Sequence, residues 1–422
     1  MKIHFIQQTS ILHYYTNPKQ VKIMRKILLP LLLCSLVLAS MAQLAPNGFG
    51  DTVKYYPLPN GFYVDPFIGT GGHGHTYPGA SVPFGMVQLS PDTRLKGWDG
   101  CSGYHYSDHK IYGFSHTHLS GTGCSDYGDI LLMPTVGKPQ FKNTQYASVF
   151  SHKNEKASPG YYSVLLDKNN IKAELTTTTR TGLHKYTFSK ATDKANVIID
   201  LIHRDMVVGA DIEVIGDTVI RGKRVSHNWA NKQYVYFTIH FSKPFKSTKI
   251  KRVGNLIQAA ATFSVTDGES IMARVGISAV SVESAEKNLV AEQGNLSFDN
   301  IRFMAERDWN KELGKLDVTG GTDDNKKIFY TAFYHALLNP NTYQDVDGKY
   351  RGRDLEVHDS AGFNYYTVFS LWDTYRALHP LLALIDKKRT SDFIQTFLKQ
   401  YEQGGLLPVW ELSACETNCM IG

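Results

Sequence analysis

The chain has 422 residues, a formal net charge of +6 and five Cys, with 42% hydrophobic and 12% aromatic residues. These values exclude a disordered chain, a collagen-like chain and a small disulfide scaffold. At about 150 residues per domain, the length accommodates two to three domains around a large core.

The charge is concentrated at the amino terminus. Residues 1–42 hold Lys2, Lys19, Lys22, Arg25 and Lys26 and no acid, so the rest carries 40 Lys+Arg against 39 Asp+Glu, a net of +1. The basic excess therefore gives no support to a nucleic-acid partner. The leader reads as a secretion signal: a basic start at Met24, Arg25 and Lys26, an apolar run from Ile27 to Leu38, and small residues at Ser40 and Ala42. The run is shorter than the roughly 20 apolar residues of a membrane span and is broken by Pro30. Residues 1–23 read as an upstream extension, with Met24 the better initiator. Cleavage after Ala42 leaves an exported protein, periplasmic or at the cell surface, with no transmembrane segment. It also leaves Cys101, Cys124, Cys415 and Cys419 in a disulfide-permissive compartment. Spacing alone does not decide how they pair.

From residue 43 to 280 the pattern is all-β. Short alternating or apolar runs recur at Asp129 to Pro134, Tyr161 to Leu166, Ala173 to Thr178, His184 to Phe188, Asn196 to Ile202, Thr218 to Val225, Gln233 to Phe241 and Ile271 to Ile277. Turn residues separate them, which predicts a large antiparallel β-sandwich rather than βαβ units. After Val280 the period lengthens. Ser284 to Glu292 and Phe298 to Leu313 read as a helical linker over 281–320. From 321 to 422 the chain reads as an all-helical domain. Its clearest helix is Asp323 to Leu338, capped by Thr322 or Asp323. The expected inner face is Ile328, Phe329, Ala332, Phe333, Ala336 and Leu337. Ser370 to Ile385 and Ser391 to Gln403 follow, and a further helix is expected to begin near Leu412. No ending signal precedes Gly422, so the expectation is a multidomain α+β chain whose helical domain is incomplete.

The segment 64–129 is dense in Gly, His and aromatic residues and holds six of the sixteen His, between His73 and His118. Such loops bring backbone close to a ligand. Three readings compete here. One is a glycine-rich interface between domains. Another is a metal site from His73, His75, His116 and His118, whose His-x-His pairs share a strand face. The third is a sugar pocket, with Trp98 stacked on a ring and Asp99, His116 and the Gly71-Gly72 backbone bonded to hydroxyls.

A second cluster lies in the helical part. Trp372, Asp373 and Arg376 fall within one turn, and Asp373 with Arg376 has i,i+3 ion-pair spacing. Trp410, Glu411 and Glu416 follow. Glycoside hydrolysis with inversion uses two carboxyl groups roughly 6.5–9.5 Å apart. Asp99, Asp373, Glu411 and Glu416 are available, and nothing in their spacing selects two.

Five ordered stretches carry a resemblance: VDPFIGTGGHGHTYPGASVPFGMVQLSPDTR (64–94), GWDGCSGYHYSD (97–108), GFSHTHLSGTGCSDYGD (113–129), FSLWDTYRALHP (369–380) and LPVWELSACETNCMIG (407–422). In these the chain resembles glycoside hydrolase family 92, secreted α-mannosidases. The resemblance implies a β-sandwich, a helical linker and an (α/α)6 barrel, with the active site between sandwich and barrel. It also implies exo-acting, inverting release of mannose from N-glycans or mannans, with one Ca2+ on the sugar's vicinal hydroxyls.

In the same terms, Trp98 matches the family's sugar-binding aromatic, Gly71 and Gly72 its glycine-rich loop, and Asp373 a barrel-side carboxylate that contacts mannose. His116, Arg376, Glu411 and Glu416 lie in shared motifs and are carried as substrate-binding candidates. The family's general acid and base belong to later barrel motifs, as do most calcium ligands. The chain alone is therefore expected not to release mannose. The rival readings are a non-catalytic carbohydrate-binding module and another sandwich-plus-barrel enzyme, a phosphorylase or a lyase.

Overall fold

Alternating runs become strands here because each can bury one face against a second sheet. In the computed structural model of the chain, residues 60–420 are described. The leader reading at 1–42 lies outside them. Two antiparallel sheets form a β-sandwich. In spatial order the seven-stranded sheet runs Ala80–Ser81, Gln88–Asp92, Gly113–Ser115, Leu131–Val136, Thr192–Asp200, Leu256–Val265 and Ser247–Val253. The eight-stranded sheet runs Met206–Ile215, Val219–His227, Gln233–Phe241, Ser270–Ser278, Thr181–Phe188, Ile171–Thr177, Tyr161–Leu166 and Glu155–Ser158.

The core lies between the sheets. Leu89, Phe114, Leu132 and Ile198 from one sheet meet Leu175, Tyr186, Phe237 and Val275 from the other, all fully buried. Each such side chain contributes ~1.5–3 kcal/mol relative to exposure. Ala259, Ala260 and Ala261 are also fully buried, within the strand Leu256–Val265. Alanine has little strand preference of its own, so this strand is held by its neighbours on both sides and is silent in a propensity reading. The edge strand Ser247–Val253 carries Lys249, Lys251 and Arg252, all exposed, a charge pattern that discourages edge-to-edge pairing.

Helices Val282–Glu292, Phe298–Leu313 and Asp323–Ala336 follow the last sandwich strand. Ser281, Ser297 and Thr322 cap them, each side chain accepting from the backbone N–H three residues on. The third helix turns inward a face that shares Phe333 and Leu337 with the expected one but is otherwise shifted. Ile328 is 64% exposed and Ala332 is exposed, while Tyr330, Thr331, Phe333, Tyr334 and Leu337 are buried. The reason is aromatic packing. Tyr334 lies on Trp309 at 4.3 Å, and Tyr330 stacks on Tyr63 and donates its hydroxyl to Leu316 O. Hydropathy periodicity undervalues tyrosines, whose rings pack in a core like other aromatics.

Sandwich and helices are joined by direct bonds. The Trp309 indole N–H donates to Ser81 O at 2.6 Å, Phe84 N–H to Leu337 O, and Thr342 N–H to Phe84 O. Arg180 pairs with Glu292 at 2.7 Å and donates to Gln344 O.

Two expectations for the last segment are corrected. Ser370 to Ile385 is not one helix but a short one, Leu371–Thr374, and a second, Leu378–Ile385. No helix begins near Leu412. Trp410–Leu412 and Cys415–Glu416 form a hairpin that extends the pair with Phe369–Ser370 into a three-stranded sheet. Ser413 and Ala414 form its turn at φ 49° and 67°. Left-handed backbone is unfavourable for non-glycine residues. Here Ser413 N–H donates to Thr367 Oγ1 and Ala414 N–H to Glu411 Oε1, both at 2.7 Å, which holds the turn. Cys415 and Cys419 therefore do not share a helix. All four described Cys are free thiols.

Candidate sugar-binding cavity

The loops that leave the sandwich and the start of the helical part enclose a cavity of about 470 Å3. Its walls are the loop Ser120–Gly123 and Trp229 on the sandwich side, and His335, Ser370, Asp373 and Trp410 on the other. This volume falls within the ~300–1,000 Å3 typical of ligand pockets.

Glycine geometry shapes the sandwich side. A Cβ on Gly74 would stand 2.1 Å from Gly69 O, so the 69–76 loop closes on itself only with glycine there. A Cβ on Gly123 would meet the Trp98 indole nitrogen at 3.1 Å, which places Trp98 beside the cavity loop. Trp98 is 57% exposed and is steadied by His75, edge-on at 4.3 Å, and by His73 at 5.1 Å. His73 also bonds Asp99 at 2.7 Å, and that bond holds the Asp99 carboxyl below its usual range. Gly72 stands at φ 56°, and its carbonyl meets His105 Nε2 at 3.1 Å. The structure thus brings Gly72, His73, Trp98 and Asp99 into one exposed patch. Gly71 lies next to it, against Tyr106.

Beneath this patch lies a buried polar frame. Asp129 pairs with Arg224, both side chains fully buried, and accepts from Gln233 and Thr117 at 2.6 Å. Arg204 donates to Gly100 O, Cys101 O and Ser125 O, tying the Trp98 loop to the loop after Gly123. None of this was legible as spacing, because its members come from four separate strands and loops.

On the helical side Asp373 accepts from the Ser370 hydroxyl and lines the cavity. It is the one carboxylate in that wall among the described residues. The spacing-based Asp373–Arg376 ion pair does not form. Arg376 instead lies 5.3 Å over both the Trp372 and Tyr375 rings and outside the cavity wall.

Three other candidates sit elsewhere. His116 is fully buried, bonded to Ile130 O and 3.0 Å from His184, and burial pushes its pKa down to about 4. It is a core histidine rather than a wall residue. Glu411 is also fully buried, its oxygens taken by Thr367 and Ala414 N–H. Glu416 accepts the backbone N–H groups of Val409, Trp410 and Asn418. Both glutamates hold the hairpin that carries Trp410.

Trp229 and His335 line the cavity without having been singled out. For Trp229 a faint signal existed: a lone Trp in a short polar tip between two alternating runs. Among the described residues no group of three or more His, Cys, Asp or Glu is placed to hold a metal ion. The His-based site does not assemble, since His73 and His75 face Asp99 while His118 is buried against Gln88 O and Asp92. The same holds for a carboxylate set for calcium among the described residues, where Asp373 is the one carboxylate in the cavity wall. No described helix is long and apolar enough to cross a membrane.

Comparison with known proteins matches this architecture. A family GH92 α-mannosidase from Bacteroides thetaiotaomicron superposes with a TM-score of 0.82 at 37% identity, over 86% of this chain and 52% of its own. A family GH92 inverting mannosidase from the same organism superposes at 0.78 and 28% identity, over 87% and 51%. A curated protein from Arthroderma benhamiae, described as an uncharacterized secreted glycosidase, is 28% identical over 80% of this chain and 47% of its own. The chain thus spans about half the length of these relatives. The Glycosyl hydrolase family 92 N-terminal domain matches residues 63–278, and the family's catalytic domain matches 284–422. With both family models matched in order on either side of the β-to-α boundary, the chain belongs to glycosyl hydrolase family 92.

Proposed function

We propose that this chain carries the sugar-holding part of an exported, exo-acting, inverting α-mannosidase. The observation that carries the reading is the cavity where Asp373 meets the loop beside Trp98. An aromatic face and a carboxylate are the pair a pyranose needs: one packs its C–H face, the other accepts from its hydroxyls. One of the family's solved structures is an α-mannosidase in complex with mannoimidazole, and mannose-containing oligosaccharides are the substrate class that follows for this chain.

Inverting hydrolysis uses an acid and a base. The cavity wall contributes one carboxylate among the described residues, and that one is engaged with Ser370. In this reading Asp373 and Trp98 bind and orient the sugar, with Arg204 of the buried frame holding the Trp98 loop and Ser370 holding Asp373. Calcium dependence belongs to the same proposal.

The test is direct. The full-length gene product is incubated with α-linked mannobioses, and the first product is followed by proton NMR. Release of β-mannose, abolished by EDTA and restored by Ca2+, is expected. α-Mannose as first product would overturn inversion, and no mannose would overturn the mannosidase. A requirement for phosphate would point to a phosphorylase. The 422-residue chain by itself is expected to be inactive in the same assay.

A further inference from the structure

The tip of one sandwich hairpin reaches the cavity. Strands Val219–His227 and Gln233–Phe241 pair antiparallel, and residues 228–232 between them carry Trp229 into the wall. Trp229 is 36% exposed, with its accessible surface in the cavity wall. It is also firmly mounted. Asp126, 2% exposed, accepts the N–H of Trp229 at 3.0 Å and of Ala230 at 2.7 Å. Ala230 is buried in an apolar cluster with Leu119, Cys124 and Trp410. The Trp229 ring then stands edge-on to Trp410 at 5.6 Å and 88°.

Trp410 adds a second observation. It is 2% exposed, lines the same cavity, and its indole N–H has no partner among the described residues. A buried donor left unpaired is costly, and a ligand hydroxyl at that wall would relieve it. A half-exposed ring on a rigid mount beside an unsatisfied donor is the chemistry of a sugar-contacting surface, with an apolar face to stack and a hydrogen bond to orient.

We infer that Trp229, with the Trp410 indole N–H behind it, recognises the sugar next to the terminal mannose, so that the hairpin tip sets the preference for the leaving glycan. The inference rests on the mannosidase reading, which assigns the terminal ring to Trp98 and Asp373. A 470 Å3 cavity exceeds the needs of one hexose, which leaves room for this second ring. Asp126 is the positioning residue of the tip and touches no sugar.

Two substrates separate the roles. α-Mannosyl fluoride fills the terminal position and has no leaving sugar, whereas an α-mannobiose fills both. In the full-length enzyme, Trp229→Ala is expected to lower kcat/KM for mannobiose by roughly tenfold or more, with less than about threefold change for the fluoride. Trp229→Phe keeps a ring against Trp410 and is expected to retain most of the preference, which guards against a mere folding defect. Asp126→Asn is expected to lower the mannobiose-to-fluoride ratio while leaving kcat on the fluoride unchanged. Equal losses on both substrates, or no loss on either, would overturn the assignment. A wild-type enzyme inert toward both would overturn the mannosidase reading itself.

Discussion

Glu411 and Glu416 stand directly opposite each other across the Trp410–Leu412 hairpin, yet their carboxylates serve opposite ends of it. Glu411 turns into the core toward Thr367 and the turn at Ala414. Glu416 folds back over three backbone N–H groups at the base, including that of Trp410. The hairpin that forms part of the cavity wall is thus braced from inside and outside by two glutamate side chains.

That arrangement makes Glu411 a source of pH dependence. Burial raises its pKa from 4.5 to about 7, against the lowering effects of Ala414 N–H and Thr367. A carboxyl raised on folding contributes full stability below its unfolded pKa and loses it as pH rises through the folded value. Stability is therefore expected to fall between about pH 4.5 and 7. Glu411→Gln should flatten that fall, by on the order of 3 kcal/mol at neutral pH. Thermal melting of both proteins across pH 4 to 8 checks this, since Asp205 and Asp345 titrate in both and cancel in the difference.

The Asp129–Arg224 pair predicts a different signature. Both side chains are fully buried, so removing one partner strands the other's charge. Asp129→Ala is expected to cost ~3–5 kcal/mol in urea unfolding. Asp129→Leu combined with Arg224→Met should recover much of it. Equal destabilisation in the single and double variants would show that the packing, not the charge, dominates.

Trp309 joins the two halves. It is fully buried, packs on Tyr334 and donates to Ser81 O. Trp309→Ala is expected to cost ~3–5 kcal/mol. Trp309→Phe should cost less, because it loses the hydrogen bond but keeps most of the ring. Denaturation curves of the two variants distinguish these terms.

Asp373 and Trp98 predict losses in turnover without losses in stability. In the full-length enzyme Asp373→Ala should lower kcat/KM on an α-mannoside by ~10–100-fold, the value of a charge-assisted hydrogen bond. Trp98→Ala should raise KM. Both residues are exposed or at the cavity wall, so melting temperatures should stay within a degree or two of wild type.

Much of this was legible in one dimension. The β-to-α change near residue 280 shows as a change of period, since strands bury alternate residues and helices every third or fourth. The helix Phe298–Leu313 follows from its lengthened apolar period, and the structure adds its Ser297 cap. Trp98 and Asp373 emerged because they stand in long, specific motifs. His116, Glu411 and Glu416 stand in equally specific motifs but serve the core and the hairpin. A motif records that a residue is needed, not which way its side chain turns.

The sequence by itself determined the compartment expectation, the two-part architecture and the family, because those rest on local period, composition and contiguous motifs. Only the tertiary structure decided which motif residues share a cavity. Asp126, Arg204 and Trp229 work through loops that are distant in the chain and adjacent in space, and that adjacency comes from sheet pairing over tens of residues. The +6 charge and the 422-residue length said nothing of it.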